Sequence, residues 1–277
     1  MLNTVVLSIH FNRLEYSKIC LNSYFEKVKT PHKLVIWNNG SKDGTTEFLK
    51  SVEADKELLK RLPFEVEFYF SDKNVRWADV INHVWSNSTT LERSPFKDKT
   101  VQCLGYCPSD MLITNDWVAY QMGKMQLVPN LAVVSDPISN RERQQPQEPY
   151  TYAEGTASFT EAPTDLIILK DKFGDVPLDC MPSLLRAELY RKHGPLVERG
   201  GMGALVFFQG RLRELGYLGG WTKRKCSELI MYHLLLSWED TPKYRLYRDW
   251  LHKFKRNQLG EGQTPPPDMY KDLRVGG

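Results

Sequence analysis

One stretch near the start of the chain decides the fold: Val35-Ile36-Trp37-Asn38-Asn39-Gly40-Ser41-Lys42-Asp43-Gly44-Thr45. It begins with β-forming residues and runs directly into a polar turn that contains two glycines. The polar side chains come just where the predicted strand ends, and open α/β sheets bind their ligands at that end of their strands. The stretch therefore predicts a strand followed by a ligand-binding loop. The alternative is that Ser41 or Asp43 only caps a helix that starts near Thr45.

A second apolar strand lies upstream, at Thr4-Val5-Val6-Leu7-Ser8-Ile9, and it also ends in polar side chains, namely His10, Asn12 and Arg13. If the two strands are parallel neighbours, both polar clusters face one crevice. The pattern continues with predicted helices over residues 14–28 and 45–62 and a half-exposed strand over residues 64–70. This β-α-β-α-β order predicts a parallel sheet with right-handed crossovers.

Composition allows one sizeable core and excludes several classes of protein. The chain has 277 residues, of which 41% are hydrophobic, yet no apolar run approaches the roughly 20 residues that span a bilayer. Its start has no basic region, so we expect no signal peptide. The five cysteines are scattered without a C-x-x-C pair, which argues against a zinc module and favours a reducing compartment. We expect a cytoplasmic protein, in the host cytoplasm if it is viral.

The two polar loops together resemble the opening of family-two glycosyltransferases, which have the GT-A fold. In that family the second loop usually reads D-N-G-S-x-D-G-T and holds the nucleobase and ribose of a nucleotide-sugar donor. For this chain we expect a UDP-sugar. The resemblance implies that Asn38 and Asn39 hold the base and that Asp43 holds the ribose or the base. It also places His10, Asn12 and Arg13 on the donor side. Asn38 stands where the family has an aspartate, and an amide bonds a base edge differently from a carboxylate.

Three later segments extend the resemblance, which covers about residues 4 to 237. Residues 74–82 are similar to a stretch beside the donor and imply a donor role for Asn82, which otherwise lies on a solvated helix face. Residues 104–117 occupy the place of the D-x-D metal motif. There Asp110 matches the last carboxylate and Pro108 replaces the first. His233 matches a metal-binding imidazole, and together with Asp110 it implies a bound Mn²⁺ or Mg²⁺. The alternatives are a turn-capping aspartate and a core histidine.

The general base does not follow from the resemblance. The family's Glu-Asp pair falls on Ala204 and Leu205, so a base near the acceptor hydroxyl must come from elsewhere. Glu198 and Asp179 are the nearest carboxylates in the sequence, and we take them as the candidate catalytic residues.

These observations predict a GT-A-like, Rossmann-type mixed sheet, mostly parallel and flanked by helices, with a C-terminal helical extension. We expect a glycosyltransferase domain over residues 1–240, followed by a basic and aromatic extension with a proline-rich tail over residues 241–277. The predicted reaction is metal-assisted transfer of a hexosyl or pentosyl group from a nucleotide sugar, with inversion, to an unidentified acceptor such as a glycan. Two rivals remain: an enzyme that glycosylates a hydroxylated DNA base, suggested by the basic extension, and a non-catalytic nucleotide-sugar or glycan-binding descendant.

Overall fold

The computed structural model describes residues 2–90, 95, 100–113, 116–135, 138–140, 166–169, 182–197, 203–222 and 231–233. The strands in these ranges are β1 (Thr4–His10), β2 (Lys33–Asn39), β3 (Glu65–Ser71), β4 (Cys103–Tyr106), β5 (Met111–Ile113), β6 (Leu131–Ser135), β7 (Ile138–Asn140), β8 (Leu166–Leu169), β9 (Ser183–Arg186), β10 (Leu218–Thr222) and β11 (Met231–His233). The helices are α1 (Leu14–Lys27), α2 (Thr45–Ala54), α3 (Lys56–Arg61), α4 (Trp77–Thr89), α5 (Trp117–Leu127), α6 (Ala187–His193) and α7 (Gly203–Glu214).

Eight strands form the main sheet, in the order β3-β2-β1-β4-β9-β6-β10-β8. Neighbours are parallel from β3 through β4, and β10 is parallel to β6. β9 runs antiparallel to both of its neighbours, and β8 runs antiparallel to β10. A small second sheet has the order β5-β11-β7. This topology confirms the predicted mixed α/β sheet flanked by helices.

The core follows from the apolar patterning of the strands. Every residue of β1 is buried, as expected for a strand inside a parallel sheet whose two faces are both covered by helices. β3 lies at the edge of the sheet and is half-buried, which agrees with its alternation of apolar and acidic residues. The predicted helix over residues 45–62 is wrong in one respect, because it is two helices. Asp55 separates them, and its carboxylate accepts a hydrogen bond from the backbone N–H of Leu58 at the start of α3.

The parallel strands β3, β2, β1 and β4 bring four loops to one edge of the sheet. These loops follow the carboxyl ends of the strands, at residues 72–76, 40–44, 11–13 and 107–110. Within the ranges given above, no helix is long and apolar enough to cross a membrane. The predicted extension over residues 241–277 lies outside the described residues.

Candidate functional site

Hydrogen bonds interlock the loops that follow β1 and β2. The backbone N–H of Asn12 donates to Ser41 Oγ at 3.1 Å, and Asn12 Oδ1 accepts from the backbone N–H of Lys42 at 2.7 Å. Each loop therefore supplies a side-chain acceptor to the backbone of the other. The two polar clusters that the sequence placed in one crevice do lie together.

Asp43 also joins these two loops through hydrogen bonds. Its Oδ2 accepts from the backbone N–H of Leu14 at the start of α1 (3.0 Å), while its Oδ1 accepts from the backbone N–H (3.1 Å) and the hydroxyl (2.6 Å) of Thr45. Partial burial opposes ionisation of this carboxyl, but the hydrogen bonds from Thr45 and Leu14 outweigh it and lower the pKa of Asp43. The result is an exposed carboxylate, ionised at neutral pH and fixed in orientation.

Gly40 allows the loop after β3 to pass close above the loop after β2. The glycine has a φ of +77°, and a β-carbon there would lie 2.5 Å from the carbonyl carbon of Lys73 and 2.8 Å from the backbone nitrogen of Asn74. Both the positive φ and the close approach of backbone exclude a side chain at this position. The third loop is therefore packed directly against the second.

Asn39 ties the third loop in place. Its Nδ2 donates to Asn74 Oδ1 at 2.6 Å and to the carbonyl oxygen of Val75 at 2.9 Å, and its Oδ1 accepts from the backbone N–H of Val75 at 2.9 Å. Asn38 has a related role, because its amide joins the end of β2 to the first turn of α2 by donating to Thr46 Oγ1 at 2.9 Å. Asn39 and Asn38 are 5% and 1% exposed, so in this structure their amides bond the protein itself and hold the loops at this edge in place.

His10 is fully buried at the end of β1. One ring nitrogen lies 3.1 Å from Ser8 Oγ and the other lies 2.9 Å from Ser17 Oγ on α1. Burial disfavours the charged imidazolium and lowers the pKa of His10 to about 3, so the ring is neutral. In this arrangement the histidine joins the end of β1 to α1.

Arg13 and Asp110 form an ion pair between the loops after β1 and β4. Arg13 Nη1 donates to Asp110 Oδ2 at 2.9 Å, and the two side chains are 25% and 8% exposed. The arginine follows β1 and the aspartate follows β4, which are parallel neighbours in the sheet. The pair therefore connects two of the four loops at the carboxyl edge.

Asn82 lies on α4 and bonds a different part of the chain. Its Nδ2 donates to the carbonyl oxygen of Leu196 at 2.8 Å, and its Oδ1 accepts from the backbone N–H of Leu196 at 2.8 Å and from the hydroxyl of Tyr190 at 3.0 Å. These contacts join α4 to α6 and to the segment that follows it.

The described residues do not form a complete metal site. They contain no group of three or more His, Cys, Asp or Glu side chains that could hold a metal ion, and the carboxylate of Asp110 is already paired with the guanidinium of Arg13. For His233 the structure describes the backbone in β11 but not the side chain. The donor set that the resemblance implies for Mn²⁺ or Mg²⁺ is thus not assembled in the described part of the chain.

The candidate general bases, Glu198 and Asp179, lie outside the described residues. Ala204 and Leu205, at the positions of the family's acidic pair, are buried near the start of α7.

The sequence did not predict that Ser41 and Asn74 accept hydrogen bonds that hold neighbouring loops together. Both are polar residues in short loops that follow predicted strands, and that position was the available signal. Their partners are Asn12, in the loop after β1, and Asn39, at the end of β2, and no local sequence pattern pairs them.

Comparison with solved structures finds this fold in glycosyltransferases of low sequence identity. Mannosyltransferase PcManGT from Pyrobaculum calidifontis, solved in complex with GDP-Man and Mn²⁺, is 13% identical with a TM-score of 0.55, and the match covers 98% of this chain and 67% of that one. TarS from S. aureus (residues 1–349), solved in complex with UDP, is 12% identical with a TM-score of 0.52, and the match covers 89% of this chain and 63% of that one.

A longer TarS structure gives 12% identity and a TM-score of 0.53, and this chain covers 42% of it. The chain thus spans less than the full length of each of these proteins. Comparison of the sequence with protein families and with characterised proteins finds no match. At these identities the likeness establishes a GT-A-like fold.

Proposed function

We propose that this protein is a glycosyltransferase that binds a nucleotide-sugar donor in the crevice at the carboxyl edge of β1, β2 and β4. The observation that carries this proposal is the interlocking of the loops after β1 and β2 through Asn12, Ser41 and Asp43. Open α/β sheets bind ligands at this edge, and here the loops are held in place by the protein itself. Similarity of fold to proteins solved with GDP-Man and with UDP supports the same conclusion.

Asp43 is the residue best suited to hold the ribose. Its carboxylate is exposed and ionised, and its hydrogen bonds to Leu14 and Thr45 fix its orientation while leaving it open to solvent. A carboxylate accepts up to about four hydrogen bonds, which leaves capacity for a hydroxyl of the ligand. We propose that Asn38 and Asn39 act on the base through the shape of the loops, since their amides bond those loops directly. A UDP-sugar is the proposed donor, and a GDP-sugar is the first alternative to test.

The chemistry we propose is direct displacement at the anomeric carbon. The acceptor hydroxyl loses a proton to a general base and attacks the sugar, the bond from the anomeric carbon to the diphosphate breaks, and the configuration inverts. Glu198 or Asp179 would be that base. A Mn²⁺ or Mg²⁺ held by Asp110 and His233 is a separate hypothesis.

Release of nucleoside diphosphate tests the function. The purified chain is incubated with a panel of UDP- and GDP-sugars, and free UDP or GDP is measured alongside binding by calorimetry. We expect one donor series to bind and to be slowly hydrolysed, and Asp43→Ala to weaken that binding. Asn130→Ala is a matched control, since this exposed residue lies in the turn before β6, remote in sequence from the crevice loops. Failure of both nucleotide series to bind would refute the proposal.

The second candidate function is a non-catalytic descendant that binds nucleotide sugars. It is favoured by the burial of Ala204 and Leu205, at 0% and 3% exposure, at the positions where the family that the sequence resembles has its Glu-Asp pair. Such a protein would bind the donor but release no nucleoside diphosphate, even with Mn²⁺ and a broad set of acceptors. The same assay therefore separates the two functions.

A further inference from the structure

The pairing of Arg13 with Asp110 changes what the crevice offers to a diphosphate. Asp110 and His233 are the two metal ligands that the resemblance implies, and the structure describes the side chain of Asp110. Its carboxylate lies 2.9 Å from a guanidinium nitrogen of Arg13. A divalent cation at that carboxylate would lie beside a permanent positive charge and compete with it. Pro108, two residues earlier, adds no carboxylate that could relieve this competition.

We propose that Arg13, held in position by Asp110, binds the donor diphosphate directly and supplies the positive charge that the predicted Mn²⁺ or Mg²⁺ would otherwise supply. Donor binding is then independent of added metal. This inference rests on the proposed function, because it concerns the same crevice and the same donor.

The chemistry of the guanidinium suits this role. It is charged at every relevant pH, and its planar fork matches the geometry of phosphate oxygens. A guanidinium carries five N–H donors in a planar fork, so it can contact more than one anion at a time, and here Nη1 holds Asp110. The Arg13 side chain is 25% exposed, against 8% for Asp110, so the arginine is the partner that a ligand in the crevice can reach.

The position of the pair agrees with this role. Arg13 directly follows Asn12, which is interlocked with Ser41 and Lys42 of the proposed nucleotide loop. Arg13 therefore adjoins the loop that we propose for the nucleoside, and a diphosphate attached to that nucleoside is within the reach of an arginine side chain. Asp110 limits the rotation of a long side chain, and this reduces the entropy lost when the arginine binds an anion. We therefore assign Asp110 as a positioning residue for Arg13.

Calorimetry with nucleotides, in EDTA and in Mn²⁺, tests the inference. We expect UDP or GDP to bind the wild-type chain with about the same affinity in both buffers. Arg13→Lys keeps the charge but loses the fork, and we expect it to weaken diphosphate binding about tenfold or more, the usual effect of losing a hydrogen bond to a charged group. Binding of uridine or guanosine, which lack phosphate, should not change. Arg61→Lys is the matched control. Arg61 ends α3, which leads into the amino end of β3, whereas the proposed site lies at the carboxyl ends of the strands, so this variant should bind nucleotides like the wild type.

Asp110→Asn separates positioning from metal ligation. If the carboxylate only orients Arg13, this variant weakens nucleotide binding equally in EDTA and in Mn²⁺. Thermal unfolding of each variant establishes that it is folded before binding is compared.

Three results would overturn the inference: nucleotide binding that requires Mn²⁺, unchanged UDP and GDP affinity in Arg13→Lys, or an Asp110→Asn variant that has lost only a Mn²⁺-dependent part of binding. Each of these leaves the proposed donor site intact, because nucleotide still binds the wild-type chain. Absence of UDP and GDP binding in both buffers would instead refute the proposed function, and this inference with it.

Discussion

Replacing Asn39 with alanine tests whether the crevice is held together by its own hydrogen bonds. The Asn39 amide makes three hydrogen bonds to the loop after β3, one with Asn74 and two with the backbone of Val75. The side chain is only 5% exposed, so water cannot simply replace the lost partner. The substitution removes all three bonds and leaves the N–H and carbonyl groups of Val75 without their amide partner.

The expected loss of stability follows from those three bonds. A hydrogen bond between neutral groups contributes about 0.5–1.5 kcal/mol net, and a buried group that loses its partner adds to the cost. We expect Asn39→Ala to lower the free energy of unfolding by about 2–4 kcal/mol. In urea, this corresponds to a fall in the midpoint of about 1 M for a slope near the upper end of the usual range.

Urea denaturation followed by tryptophan fluorescence and by circular dichroism measures this loss, and coincidence of the two transitions checks two-state behaviour. Asn130→Ala is the control, because its side chain lies exposed in a turn and should change stability by less than about 0.5 kcal/mol. A cycle with Asn74→Ala isolates the contact between the two amides.

The competing expectation from sequence is that Asn39 contacts the nucleobase directly. It predicts a loss of nucleotide affinity worth about 1–3 kcal/mol with little change in stability. An Asn39→Ala variant as stable as the wild type, with weakened UDP or GDP binding, would refute the bracing role and support direct contact.

Three further predictions concern other parts of the chain. Gly40→Ala should destabilise the protein more than alanine at the exposed Gly216, because the new β-carbon meets the backbone of Lys73 while nothing lies near it at Gly216, and thermal unfolding compares the two. The lowered pKa of His10, about 3, means that its contribution to stability is complete above its ordinary pKa of 6.5 and is lost as the pH falls from there toward 3. His10→Gln should therefore flatten the fall in stability over that window by up to about 1.4 kcal/mol per pH unit, and an unchanged slope in urea titrations would exclude this assignment. If the basic extension contacts DNA, affinity should fall with salt by about 0.7–0.9 logarithmic units per phosphate contact, and absence of binding at low salt would exclude a DNA acceptor. The residues to reverse are Arg245, Arg248, Lys253, Lys255 and Arg256.

The fold was predictable because its signals are local and repeated. An apolar run followed by polar residues marks β1 and β2, and the alternation of β3 marks an edge strand. The break at Asp55 was missed because residues 45–62 keep a helical pattern across it. The break is marked by one capping hydrogen bond, which the backbone N–H of Leu58 donates to the carboxylate of Asp55. The spacing of apolar residues carries no sign of such a bond.

The orientation of the polar side chains was not predictable in the same way. An asparagine at the end of a strand can face a ligand or bond a neighbouring loop, and its own sequence context is the same in both cases. For Asn39 the partner is Val75, 36 residues along the chain, and contact between them requires the close approach over Gly40. The Arg13–Asp110 pair has the same origin, since 97 residues separate its members and only the adjacency of β1 and β4 brings them together.

These long-range bonds bear on how the proposed donor would bind. Asn12, Asp43 and Asn39 fix three loops through bonds to backbone groups, so the order of these loops is established when the protein folds. A ligand that enters such a site does not bear the entropic cost of ordering loops, and that cost is a large part of what weakens association. Donor binding should therefore be measurable without an acceptor and should depend little on what the acceptor is. For this reason nucleotide affinity, and not turnover, is the observable on which the crevice proposals are best judged.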